Sequence, residues 1–155
     1  GTVDEAMGSE KTTWEEAKAD ILGLFMVSSL IDMGEITDIT KEESIATFIA
    51  GIVRSVRFGF ASSHGKANMM CYNYMEKNGA FSRNEEGKWV IDFEKAAECI
   101  NSWANLIIET QATGNVEFAK AYSAENASIG EALAADIEKI NGAGIPRDIV
   151  FDFAW

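Results

Sequence analysis

The stretch that decides the fold runs from Thr13 to Met33 and reads TWEEAKADILGLFMVSSLIDM. Three acids, Glu15, Glu16 and Asp20, lead directly into an almost entirely apolar run from Ile21 to Ile31. An apolar run of this length without a polar face predicts a long helix that is enclosed by protein. Since burial of an unpaired carboxylate is costly, the acids need a helix-capping role, a cation partner or a metal ion.

The spacing of these acids leaves two interpretations open. Thr13-x-x-Glu16 matches a capping box, and acids in the first turn face the positive end of the helix dipole. On this interpretation the pair begins a core helix and has no further role. On the other interpretation, one glutamate binds a metal ion and the other orients a neighbouring ligand.

The composition limits the class of protein. A chain of 155 residues suggests a single domain with a sizeable core. Its net charge of −12 argues against a nucleic-acid partner. We find no signal peptide and no apolar run long enough to span a membrane, so we expect a cytoplasmic protein without membrane contact. Cys71 and Cys99 lie inside helical patterns, which predicts buried free thiols.

The remaining pattern predicts a mainly α fold, a helical bundle-like domain of about five to six helices with one small β-hairpin. Residues 1–12 are small, polar and acidic and predict a flexible lead-in, followed by a single helical domain over residues 13–155. After the first helix we expect a helix capped by Thr40, a helix from about Ser63 to Lys77, a hairpin within Ala80 to Asp92, helices from about Phe93 to Thr113, Val116 to Tyr122 and Ile129 to Asn141, and an extended tail from Ile149 to Trp155.

A basic region interrupts this acidic chain. No Asp or Glu occurs from Ser44 to Met75, whereas the stretch contains Arg54, Arg57, His64 and Lys66. Arg54 and Arg57 share a helix face, which favours a site for an anion or a substrate carboxylate. The alternative is that both arginines pair with acids elsewhere in the fold.

His64 is the only histidine of the chain. A single histidine is more often structural than catalytic. Its position at a helix start, inside the acid-free stretch, favours a functional role. Asn68 lies one turn further along and shares the same helix face.

Four segments, in this order along the chain, carry a resemblance to a known family. They are Glu15-Glu16-Ala17-Lys18-Ala19-Asp20 with its continuation Ile21-Leu22-Gly23-Leu24-Phe25, AGIVRSVRFG at 50–59, HGKANMM at 64–70, and IPRDI at 145–149. The first resembles the zinc motif Glu-Glu-x-x-Ala-Glu/Asp of the dipeptidyl-peptidase III family of zinc metallopeptidases, and the others are similar to its bacterial members. The likeness covers nearly everything from about residue 13 onward.

The resemblance implies roles for individual residues. Glu16 would be a zinc ligand, and Glu15 would orient a ligating histidine. His64 would steady the polarised carbonyl oxygen of the substrate. In this family zinc activates a water for attack on the peptide carbonyl, with the glutamate of another motif as general base. The cleft that holds the peptide would be lined by Arg54, Arg57 and Asn68.

The chain departs from the family in one decisive respect. The motif His-Glu-x-x-x-His, which supplies two zinc ligands and the general base, is absent. Since a catalytic zinc takes about three protein ligands, we expect this chain alone to bind no zinc and to be inactive. We therefore interpret it as the C-terminal part of a larger zinc hydrolase that lacks its N-terminal lobe. Its exposed apolar surface would favour that lobe, or a homodimer.

The competing hypothesis is a non-catalytic helical module for interaction or ligand binding. In that case Glu15 and Glu16 cap a helix and His64 is structural. The basic region would then form a cleft for an acidic partner or a second subunit.

Overall fold

The computed structural model describes residues 1–149 and 151, which are mostly helical. Six helices have 11 or more residues, and one antiparallel hairpin is present in the described part, so the predicted mainly α fold is confirmed. Most of the predicted extended tail lies outside the described residues. The elements are α1 (Val3–Met7), a 3₁₀ turn (Gly8–Glu10), α2 (Lys11–Asp32), α3 (Lys41–Val56), α4 (Ser63–Lys77), β1 (Phe81–Arg83), β2 (Trp89–Ile91), α5 (Phe93–Thr113), α6 (Val116–Asn126) and α7 (Glu131–Gly142).

Helix α2 begins earlier than the sequence predicts, and this changes the interpretation of its acids. It begins at Lys11, and the Glu10 side chain that precedes it makes no capping bond. Glu15 and Glu16 are therefore the fifth and sixth residues of the helix, beyond its first turn. The capping box predicted from Thr13 and Glu16 is wrong, so helix capping does not explain this pair of acids.

Residues 1–12, for which the sequence predicts a flexible lead-in, include α1 and the 3₁₀ turn. Thr2 and Glu5 form a capping box that starts α1. Met7 at the end of α1 is completely buried in the core. The segment is also held by Glu10, whose carboxylate accepts a 2.7 Å hydrogen bond from Ser123 Oγ of α6. A single methionine in a polar stretch gives no periodicity from which such docking could be predicted.

An aromatic cluster joins four helices at the centre of the core. Trp14 of α2 and Trp103 of α5 are fully buried, with ring centroids 6.2 Å apart. Tyr122 of α6 lies 5.9 Å from the Trp14 ring, and Tyr74 of α4 lies 4.9 Å from the Trp103 ring. Close aromatic pairs of this kind add to the stabilisation from apolar burial.

The predicted enclosure of α2 holds only for its first half. Trp14, Ala17, Ile21 and Leu24 are buried. Beyond them the helix presents an exposed apolar face to solvent. This face is formed by Phe25, Met26, Leu30 and Met33.

The hairpin is fastened to α7 by a group of side chains that we call the Asp136 cluster, made of Arg83, Trp89 and Asp136. Strands β1 and β2 pair with Phe81 opposite Ile91. The Asp136 carboxylate accepts hydrogen bonds from the Arg83 guanidinium and, at 2.8 Å, from Trp89 Nε1. Because both donors belong to the hairpin, this single carboxylate fixes the hairpin against α7.

The two cysteines match the prediction of buried free thiols. Cys71 and Cys99 are both buried and form no disulfide. Burial raises the pKa of the Cys71 thiol above its usual range, and the negative charge of Asp20 acts in the same direction. Separately, the described part of the chain contains no helix that combines the length and apolarity needed to cross a bilayer.

Candidate functional site

The structure brings two predicted site residues into direct contact although they lie 48 positions apart in the chain. His64 Nδ1 lies 3.2 Å from Glu16 Oε2 and 3.9 Å from Asp20 Oδ2. Glu16 and Asp20 are one turn apart on α2, so both carboxylates face the imidazole at the start of α4. We call Glu16, Asp20 and His64 the acid–imidazole cluster.

The start of α4 is shaped by two neighbours of His64. Ser62 caps the helix by accepting a 3.1 Å hydrogen bond from the Gly65 amide. A Cβ atom at Gly65 would lie 2.6 Å from Phe60 Cα and 2.7 Å from the Gly59 carbonyl oxygen. Because glycine has no side chain, the preceding loop can pack on the first turn of α4 at Gly65. This packing places His64 opposite Glu16.

The acid–imidazole cluster is open to solvent and incompletely satisfied. The exposed fractions of the side chains are 49% for His64, 42% for Glu16 and 31% for Asp20. Burial raises the pKa of Asp20; the nearby His64 lowers this pKa and the negative charge of Glu16 raises it. A carboxylate that is accessible, caps no helix and faces an imidazole can accept a cation or a further hydrogen-bond donor.

Glu15 does not join this cluster. Its Oε1 accepts a 2.8 Å hydrogen bond from Gln111 Nε2 of α5 and lies 2.7 Å from Lys18 Nζ. Consecutive residues of a helix point about 100° apart. Glu15 therefore faces α5, whereas Glu16 faces α4. The sequence gives no signal for Gln111, because a single glutamine near a helix end belongs to no recognisable motif.

Arg57 and Asn68, which are predicted to line a substrate cleft, make contacts within the fold. Arg57 donates to Asn141 Oδ1 at 3.1 Å and to the Ile145 carbonyl at 2.9 Å, so it fastens the segment after α7. Asn68 is buried and donates to Ser55 Oγ at 3.0 Å, which links α4 to α3. Arg57 thus bonds neutral oxygens rather than the acids that the alternative interpretation predicts.

Arg54 lies beside a groove of about 560 Å³ between α3, β2 and α7. Its guanidinium also lies 5.6 Å from the centre of the Phe58 ring. The walls of the groove are mostly apolar and include Ile49, Val53 and Ile140. Arg57 and Lys139 add positive charge, and Asp136 adds one negative charge. No residue of the acid–imidazole cluster lines this groove, so the groove and the cluster form two separate surfaces.

The donor atoms of the described residues do not complete a zinc site. Across residues 1–149 and 151, no group of three or more His, Cys, Asp or Glu side chains is placed to hold a metal ion. Glu16 offers carboxylate oxygens, which are suitable for one zinc ligand. Since a catalytic zinc takes about three protein ligands, the other ligands would have to come from outside these residues.

Comparison with known proteins finds a curated relative and closely similar solved structures. No protein-family profile matches the chain. Nudix hydrolase 3 from Arabidopsis thaliana is 31% identical over 148 residues, which is 96% of this chain and 19% of the relative.

Two of the similar structures are of dipeptidyl-peptidase III. The structure from Caldithrix abyssi matches 95% of this chain with a TM-score of 0.88 and 28% identity. The structure from Corallococcus sp. strain EGB matches 97% with a TM-score of 0.89 and 29% identity. In each case the chain spans 28% of the solved chain.

Proposed function

Because this chain fits the C-terminal portion of dipeptidyl-peptidase III structures, as its motifs predict, we propose that it is part of a zinc-dependent peptidase of the aminopeptidase type. Glu16 supplies one zinc ligand, His64 and Glu15 assist, and the chain by itself is inactive. The observation that carries this proposal is the contact between Glu16 and His64, with 3.2 Å between Oε2 and Nδ1. Two residues of separate motifs thereby face one accessible surface.

The surroundings of Glu16 support a ligand role over a structural one. Its position beyond the first turn of α2 excludes the capping role, and its side chain is 42% exposed. Zinc bound at such a carboxylate would act as a Lewis acid toward a peptide carbonyl. His64 turns Nδ1 toward Glu16, which leaves Nε2 to donate to the oxygen of the substrate when the ring is doubly protonated.

The name of the Arabidopsis relative does not extend to this chain. The match covers only 19% of that protein, so its hydrolase name describes a molecule about five times as long as the matched region. The peptidase proposal is supported instead by two solved structures and by the order of four motifs.

The test uses the full polypeptide encoded by the gene, as wild type and as the Glu16→Ala variant. Zinc is measured by mass spectrometry, and cleavage is measured with a chromogenic dipeptidyl substrate. We expect about one zinc per wild-type molecule, and loss of both zinc and cleavage in Glu16→Ala. The control is Glu109→Ala, which removes an exposed carboxylate on α5 and should change neither. Zinc and cleavage that survive Glu16→Ala would overturn the proposal.

The remainder of the polypeptide is the proposed partner of this chain. The exposed apolar face of α2, which includes Met26 and Met33, is a surface that a folded neighbour would cover. Without that neighbour the same face would favour homodimers. Light scattering should therefore show self-association of this chain, reduced by Met26→Lys; a strictly monomeric wild-type chain at high concentration would contradict this part of the proposal.

A second candidate function is ligand binding in the groove beside Arg54. Its volume lies within the range of about 300–1,000 Å³ typical of small-molecule sites, and its positive charge favours an acidic ligand. The test is a fluorescence titration with the anionic probe anilinonaphthalene sulfonate. Ala50→Trp should fill the groove and Arg54→Gln should remove its charge, so both should weaken binding. If the full polypeptide holds no zinc and cleaves no peptide, but both substitutions weaken probe binding, the results would favour the ligand-binding module.

A further inference from the structure

Among the described residues, the Glu15 carboxylate is contacted at only one of its two oxygen atoms. Gln111 Nε2, at 2.8 Å, and Lys18 Nζ, at 2.7 Å, both approach the same carboxylate oxygen, Oε1. Within the described residues this leaves Oε2 open to another donor. A carboxylate that is fixed through one oxygen and open at the other can orient a group that arrives from outside.

The Gln111 amide is the more strongly constrained of the two partners. Gln111 is only 5% exposed, whereas the Lys18 side chain is 31% exposed and flexible. A buried amide costs free energy unless it is hydrogen-bonded, so Gln111 is bound to its acceptor. Because an ionised carboxylate only accepts hydrogen bonds, the NH₂ group of Gln111 must face Glu15.

We propose that Gln111 is a positioning residue that fixes the Glu15 carboxylate, so that Oε2 accepts the N–H of a histidine that binds zinc. This inference requires the proposed function, since the histidine belongs to the rest of the polypeptide. Carboxylates that accept the outer N–H of a metal-bound imidazole set its orientation and strengthen metal binding. The packing of α5 on α2 then controls zinc affinity from a residue 96 positions away from Glu15.

The experiment compares Gln111→Leu with Thr110→Val in the full polypeptide. Leucine keeps most of the volume of Gln111 and removes its donor. Thr110 is also buried in the last turns of α5, and its hydroxyl donates to the Leu106 carbonyl, so its substitution controls for a general loss of packing. We expect Gln111→Leu to weaken zinc binding about 10-fold or more. It should also change the absorption spectrum of the cobalt-substituted protein, and Thr110→Val should do neither.

The outcomes separate this inference from the proposed function. Zinc binding in Gln111→Leu that equals that of Thr110→Val, together with weakened binding in Glu15→Ala, would overturn the positioning role and leave the peptidase intact. A wild-type polypeptide without zinc would overturn both. A second readout needs no metal: in this chain, Glu15→Ala should shift the NMR signals of the Gln111 side-chain amide. Unchanged signals would show that the hydrogen bond does not exist in solution.

Discussion

In the acid–imidazole cluster and in the Asp136 cluster, a carboxylate contacts side chains of another helix or strand. The two clusters differ in how many hydrogen bonds the carboxylate accepts and in how exposed it is. Asp136 is 18% exposed and accepts hydrogen bonds from Arg83 and Trp89. The Glu16 side chain is 42% exposed, and its one hydrogen-bond contact among the described residues is with His64, at 3.2 Å.

The pKa shifts of the two aspartates follow this difference. Burial alone would raise the pKa of Asp136, but the hydrogen bonds from Trp89 and Arg83 outweigh burial and lower it. At Asp20 burial prevails and the pKa is raised. A fully bonded carboxylate stabilises the fold, whereas a partly bonded one remains available to a ligand. Substitutions in the Asp136 cluster should therefore lower stability, whereas substitutions in the acid–imidazole cluster should mainly change ligand binding.

The largest effect is expected for Asp136→Ala. The substitution leaves the mostly buried Arg83 without its carboxylate and removes the acceptor of Trp89. Removal of one partner of a buried ion pair lowers the free energy of unfolding by about 3–5 kcal/mol. Urea denaturation measures this loss. If the free energy of unfolding fell by less than about 1 kcal/mol, Asp136 would contribute no more than an exposed surface acid. The two clusters would then not differ in their contribution to stability.

Gly65→Ala should have the next largest effect. Its Cβ would meet backbone atoms of Phe60 and Gly59, so the loop or α4 must move. Such overpacking typically costs about 1–3 kcal/mol, and it should displace His64 from Glu16, which NMR shifts of the His64 ring would report. Gly51→Ala is the matched control. No atom lies within 4 Å of the added Cβ, and alanine favours a helix, so its stability should be unchanged or higher.

The stabilisation by Asp136 should depend on pH. Its pKa in the folded protein lies below the ordinary value of 3.8 expected in the unfolded chain. The contribution is therefore present above pH 3.8 and is lost as the pH falls through the lower folded-state pKa. Urea denaturation of wild type and Asp136→Asn should show a difference at neutral pH that shrinks in acid. A constant difference would mean that another feature of the substitution causes the loss.

The smallest effect on stability is expected for Glu16→Gln and His64→Gln. Exposed ion pairs contribute about 0–1 kcal/mol, so thermal unfolding of this chain should hardly change. In the full polypeptide, Glu16→Gln should still weaken zinc binding strongly. Loss of several kcal/mol from either substitution would show that the acid–imidazole cluster is a structural element like the Asp136 cluster.

Much of the fold could be predicted because its signals are local. The capping boxes and caps at Thr40, Ser62 and Asp92 lie next to the helices they start, and the apolar period of α3 and α5 is regular. The start of α2 was predicted wrongly, since Thr13-x-x-Glu16 fits a helix interior as well as a cap. Local spacing cannot separate these two cases, because the residues before Thr13 are fixed by the tertiary contacts of Met7 and Glu10.

The candidate site could be predicted only in part. The motifs named Glu16 and His64, and the structure places them side by side; their chemical roles remain predictions. The orientation of Glu15 toward Gln111 depends on how α5 packs on α2, which no spacing within either helix encodes. The same holds for Arg57, whose contacts with the segment after α7 arise from tertiary packing.

The aromatic cluster has a consequence for the order in which the chain folds during synthesis. Trp14 is buried against Trp103 and Tyr122, so its neighbours leave the ribosome more than 80 residues after it does. Until then the helix that carries Glu15 and Glu16 has no complete surface to pack against. The acids of α2 are translated long before the aromatic residues that fix their helix, and a nascent chain stalled before Tyr122 should leave Trp14 exposed to quenchers.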